Sequence, residues 1–177
     1  MAIFENLDYR RLDVMALTET GGLATINPEA QESCIQWLVA NRYEVVTVDG
    51  SEGLASLAAQ LGEALDWKSQ FGYSVIDEVN LDALNDGFEF DVPVEGGLVL
   101  QFLGAEKVWS EDQKWCTGML SIASAYSRAQ LALGRRFFTL LVLSPDSQLH
   151  GAAVDTVIVP LWFQFEGTYE QGSAIQG

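Results

Sequence analysis

The sequence predicts an α/β fold built on a parallel sheet covered by helices on both faces. Three observations carry this. The runs 43–48 (YEVVTV), 97–102 (GLVLQF) and 137–143 (FFTLLVL) are β-rich. They lack the polar alternation of a half-solvated strand, so each reads as buried on both faces. Segments with helical spacing separate them, the pattern of a sheet with crossover helices. The chain has 177 residues, 49% of them apolar. A chain of that size buries roughly 70% of its unfolded surface and needs no covalent staple.

In chain order, residues 7–17 read as a short helix and 23–26 (LATI) as a short strand. Asn27 as N-cap, Pro28 at the first helical position and Glu29 in the first turn open a helix expected to reach Asn41. Ile35, Leu38 and Val39 are its expected buried residues. The strand 43–48 ends at the Asp49-Gly50 turn. Ser51 is the expected cap of a helix whose Leu54, Leu57, Ala58, Leu61 and Leu65 fall at i, i+3, i+4, i+7 and i+11. Residues 67–79 read as a loop carrying Trp67, Phe71 and Tyr73, and 80–88 as a short helix.

After the strand 97–102 comes a helical turn at 105–109. Ser110-Glu111-Asp112-Gln113 reads as a capping box opening a long helix to Leu133, stopped by Gly134. Beyond the strand 137–143, residues 144–146 form a turn. A late strand is expected at 157–163, pushed to an edge by Pro160. Residues 166–177 are polar and Gly-rich, an expected frayed tail. The organisation this implies is a central unit (43–145), an N-terminal extension (1–42) that packs on it and adds one strand and one helix to its edge, and a C-terminal extension (146–177) with an edge strand and a frayed tail.

Charge narrows the function classes. There are 25 acidic and 9 basic residues, a formal net charge of −16. Phosphate would be repelled, which argues against direct nucleic-acid binding and for a basic protein partner or a cation. No uninterrupted apolar run approaches the roughly 18 residues of a membrane span, and none of the first twelve residues forms a secretory signal. Cys34 and Cys116 are isolated and read as buried free thiols, suiting a reducing cytoplasm.

His150 is the only histidine and has no catalytic partner in its surroundings. No nucleophile elbow, phosphate loop or dinucleotide fingerprint occurs. Neither an enzyme nor a cofactor is expected. The acidic residues Asp77, Glu78, Asp82, Asp86 and Glu89 lack a calcium-loop pattern, so no metal site is assigned.

The most informative stretch is 80–88 (NLDALNDGF). As a helix it puts Leu81, Leu84 and Phe88 on a buried stripe at i, i+3 and i+7. Asp82 and Asp86, four apart, stack on another face with Asn85 beside them. Asp82 has a local reason to be there, since a first-turn carboxylate complements the helix dipole. Asp86 has none, because like charges at i, i+4 are mildly unfavourable. Two carboxylates on one turn point the same way and cannot flank a scissile bond. They suit docking to something positive.

Asn80-Leu81-Asp82-Ala83-Leu84-Asn85-Asp86 resembles the barstar family of intracellular ribonuclease inhibitors. The supporting pieces are 43–50, 54–65, Phe71-Gly72, 80–88, 98–102, 110–133 and 137–143, about a hundred residues in all. The resemblance implies a parallel three-stranded core covered by helices. It implies binding to a basic ribonuclease, with the acidic helix in the active site in place of RNA phosphate. Asp86 would be the anchor and Asp82 its support, with Asn85, Phe71, Gly72, Tyr73 and Asn80 around them. This chain has seven residues, 73–79, between the aromatic-Gly element and Asn80, where the family has about one. It has Asn85 where the family has an aromatic. A barstar-like interaction module with a non-nuclease partner is the alternative.

Overall fold

The computed structural model describes residues 11–73, 80–155 and 157–160. It is an α/β fold with one four-stranded parallel sheet flanked by helices. The strands are β1 (Leu23–Ile26), β2 (Tyr43–Asp49), β3 (Gly97–Leu103) and β4 (Phe137–Val142), in spatial order β1-β4-β3-β2. All three pairings are parallel, with Leu23 opposite Thr139, Leu98 opposite Phe137 and Tyr43 opposite Gly97. The sheet therefore has four strands where the core was expected to have three, the fourth being the strand expected of the N-terminal extension at the core's edge. LATI joins the same sheet, because a wholly buried four-residue run needs its backbone groups paired and the free edge of β4 pairs them.

The helices are α1 (Leu12–Thr18), α2 (Gln31–Ala40), α3 (Leu54–Ala64), α4 (Trp67–Phe71), α5 (Leu81–Gly87), α6 (Ala105–Glu111) and α7 (Gln113–Ala132). Alternation along each strand splits the core into two layers. Val48, Leu98, Leu100, Phe102, Phe137 and Leu141 pack with α3, α5, α6 and α7. Tyr43, Val99, Ala24, Ile26, Phe138 and Leu140 pack with α1 and α2. A short antiparallel hairpin, β5 (Ala153–Val154) with β6 (Val157–Ile158), follows. The expected strand 157–163 is thus a two-residue strand within the described residues, and 161–163 lie outside them, as do 7–10 of the first expected helix.

Several local expectations shift for identifiable reasons. Asn27 does cap, its Oδ1 accepting from the Ala30 N–H at 2.8 Å, but a 3₁₀ turn at Pro28–Ala30 precedes α2. Cys34 and Leu38 form the buried line of α2, while Val39 is turned outward and 59% exposed. Ser51 does not cap α3. The Leu54 N–H donates instead to Glu111 Oε2 at 2.8 Å, a carboxylate 57 residues later. That bond, with the Lys107 ammonium, holds the Glu111 carboxyl below the ordinary carboxylate range. The cap of α7 is Asp112, whose Oδ1 accepts from the Trp115 N–H at 2.9 Å; Ser110 is still inside α6. Residues 67–71, expected as loop, are helical.

Candidate functional site

The acidic helix α5 is set by its cap and its apolar line. Asn80 Oδ1 accepts from the Ala83 N–H at 2.9 Å, satisfying a first-turn donor. Leu84 and Phe88 are buried in the core. Leu81 lies over α7 at Gly118, where a Cβ would come within 2.4 Å of Leu81 Cδ1. The glycine is what lets the two helices meet there. Asp82, Asn85 and Asp86 are left on the solvent side, all exposed. Among the described residues, none of the ion pairs involves Asp82 or Asp86.

Beside α5 stands a cluster of three aromatic rings. Trp67 is fully buried; Phe71 and Tyr73 are 39% and 48% exposed. Ring centroids are 4.3 Å apart for Trp67 and Phe71, and 6.2 Å for Phe71 and Tyr73. Gly72 ends α4 in the left-handed conformation at φ 80°, its N–H bonded to Lys68 O. This turn returns Tyr73 to within 6.1 Å of the Trp67 ring.

The contact between α4 and α5 runs through Gly87. A Cβ on it would lie 2.5 Å from Trp67 and 2.6 Å from Phe71. Gln70 Nε2 donates to Gly87 O at 3.4 Å, and to Leu65 O at the end of α3 at 2.6 Å. The rings are thereby held against the residue that follows Asp86.

Of the residues expected at the site, Asp86, Asp82 and Asn85 form one exposed face of α5, and Phe71 is fixed at its end through Gly87. Gly72 shapes the turn, and Asn80 is occupied by its capping bond. Residues 74–79, including Asp77 and Glu78, lie outside the described residues. Reasoning from the sequence missed Trp67 and Gly87, the pair that makes the junction. It also gave no sign of Lys114. Lys114 in fact lines a cleft of about 320 Å³ together with Asp82, Asp112 and Trp115. The signal was absent because Lys114 is 32 positions away along the chain.

The chemistry open to this arrangement is recognition. Among the described residues no group of three His, Cys, Asp or Glu could hold a metal ion. His150 faces the carbonyl oxygens of Ser144 at 3.0 Å and Pro160 at 3.2 Å, a position that ties the C-terminal segment together. Burial pushes both thiols, Cys34 and Cys116, up to about 12, so neither is a ready nucleophile. No helix among the described residues is long and apolar enough to cross a membrane. Compared with families of known proteins, with characterised proteins and with solved structures, the chain matches none of them.

Proposed function

We propose that this chain is a barstar-like cytoplasmic inhibitor of a basic ribonuclease, with α5 entering the enzyme's active site in place of RNA phosphate. The observation that carries the reading is the state of Asp86. It is an exposed carboxylate without an ion-pair partner among the described residues, on a helix whose fold gives it no other task. A net charge of −16 adds a long-range field that favours approach of a cationic groove.

In this reading Asp86 takes the position of a substrate phosphate among the enzyme's basic side chains. Asp82, one turn earlier, strengthens the field and binds a second cation. Asn85 supplies hydrogen bonds between them. Phe71 and Tyr73 give an apolar rim that excludes water, which raises the value of each charge contact. Nothing in the mechanism needs a cofactor or a bond-breaking step.

Titration of the purified chain against barnase-type ribonucleases tests it. Stoichiometric loss of RNA cleavage, weakened in Asp86→Ala, is the expected outcome. Unchanged cleavage by every basic ribonuclease tried would transfer the same surface to an interaction module with a non-nuclease partner.

A further inference from the structure

The sheet has two edges, β1 and β2, and β2 pairs only with β3. The Gly97 N–H donates to Arg42 O at 3.4 Å and the Gly50 N–H to Leu103 O at 2.8 Å, so the even-numbered residues of β2 face β3. By the alternation of the ladder, the N–H and C=O of Val45, Thr47 and Asp49 face the free edge. The rung at Asp49 is closed by a side chain. Its N–H donates to Gln60 Oε1 at 2.9 Å, and Gln60 Nε2 donates to its carbonyl at 2.8 Å. The rungs at Val45 and Thr47 have no such partner among the described residues. The Thr47 hydroxyl turns onto the sheet face and donates to Gln101 Oε1 at 2.9 Å.

Proteins blunt a strand edge by keeping it short, bulging it, placing proline or lysine on it, or covering it. β1 follows that rule, with four residues that are all buried. β2 does not. It has seven residues in unbroken register with β3, and none of them is proline, glycine or lysine. Thr47 is exposed and Val45 half-buried, so the free rungs lie within reach of solvent. An edge of this kind is a template on which an extended segment adds as a further strand, its main chain supplying the hydrogen bonds. Each free rung presents one donor and one acceptor.

We propose that the β2 edge receives an extended segment of a partner protein, rich in lysine or arginine, as a fifth strand. The backbone rungs make the site, and charge selects the occupant. Glu44 is exposed on the strand itself, Glu52 is exposed beyond its carboxyl end, and Glu95 lies beside its amino end, 3.8 Å from Arg42. A second copy of this chain would bring the same acidic strand and another net charge of −16 against it, which opposes self-pairing. A basic strand meets complementary charge instead. Val45 and Thr47 fix its register, and Gln60 ends the ladder at Asp49.

Titration with a terminally blocked heptapeptide of alternating lysine and valine, with hydrogen exchange read by NMR, tests this. One-to-one binding is expected. Exchange of the Val45 and Thr47 amides should slow roughly tenfold or more, while that of Asp49, already bonded to Gln60, stays the same. The peptide with glutamate in place of lysine should bind roughly tenfold more weakly. Glu44→Lys, an exposed substitution, should weaken binding of the lysine peptide about fivefold, the worth of an exposed ion pair. Absence of binding overturns the proposal. So does binding that leaves Val45 and Thr47 exchange unchanged, which is charge attraction without strand addition. Protection of both amides before any peptide is added overturns it too, because the edge is then already occupied by this chain or a second copy. Equal binding of the two peptides, or equal binding of the lysine peptide by Glu44→Lys, overturns the choice of occupant and with it the proposal. The ribonuclease titration is independent, so either reading can fail alone.

Discussion

Gly87 and Phe71 are in contact across the junction of α5 and α4, with no room for a side chain between them: a Cβ on Gly87 would stand 2.6 Å from the Phe71 ring. Gly87→Ala must push either Phe71 or the buried Trp67. Overpacking of this kind costs about 1–3 kcal/mol. Urea unfolding should show that loss. Ribonuclease inhibition should weaken more than in Phe71→Leu, because the alanine displaces the whole aromatic rim and not one ring.

Asp86 and Asp82 separate in their expected effects. Asp86→Ala should weaken partner binding by about 2–5 kcal/mol, the range general for a desolvated charge pair that loses one member, barnase with barstar included. Its unfolding midpoint should stay close to that of the unaltered chain, since no core contact is lost. Asp82→Ala should weaken binding less. It should also cost roughly 0.3–1 kcal/mol of stability through the lost dipole complement. Equal affinity of Asp86→Ala and the unaltered chain would remove this residue from the interface.

Salt should act on association. If α5 and the chain's negative field steer the encounter, raising ionic strength slows the on-rate and leaves the off-rate nearly constant. Surface plasmon resonance over a salt series would read both rates.

Tyr43 and Asp13 anchor α1 to the sheet. The Tyr43 hydroxyl donates to Asp13 Oδ2 at 2.6 Å, and Arg11 donates to the same carboxylate through Nε at 3.0 Å and a terminal nitrogen at 2.8 Å. Asp13 is fully buried. Removing it takes away the buried acceptor shared by Tyr43, Arg11 and Arg136, at a cost of about 3–5 kcal/mol. Tyr43→Phe loses one charge-assisted bond, roughly 1.5–3 kcal/mol. Thermal unfolding of the two variants should rank them in that order.

Alkaline pH should destabilise the fold. Burial raises Cys34 and Cys116 from an ordinary 9.0 to about 12, and Tyr43 is raised as well, by burial first and by Asp13 second. A raised folded-state value means that the contribution is complete below the ordinary value. It is lost as pH climbs toward the folded one, since the unfolded chain ionises first. Stability should fall progressively between about pH 9 and pH 12. Cys34→Ala and Cys116→Ala should each flatten that decline. Thiol reagents should label neither cysteine in the native protein at pH 8 and both after unfolding.

The sequence by itself determined what short-range physics controls. The strands at 97–102 and 137–143 were legible because their apolar runs need two covered faces; 43–48 was legible as a strand by its β-rich composition, but at the edge of the sheet it is only partly buried. The helix 80–88 was legible because its polar and apolar residues sort at 3.6-residue spacing and Asn80 is a local cap. The exposure of Asp82, Asn85 and Asp86 followed from the same spacing. Tertiary structure alone decided what depends on partners distant along the chain. It chose β4 as the edge that LATI pairs with, capped α3 with Glu111 in place of Ser51, and set Phe71 on Gly87. It also placed Lys114 near Asp82 and left half of the Gln101 amide without a partner. The meetings among these join groups between 16 and 116 positions apart, which local propensity does not encode and which packing of the two core layers fixes.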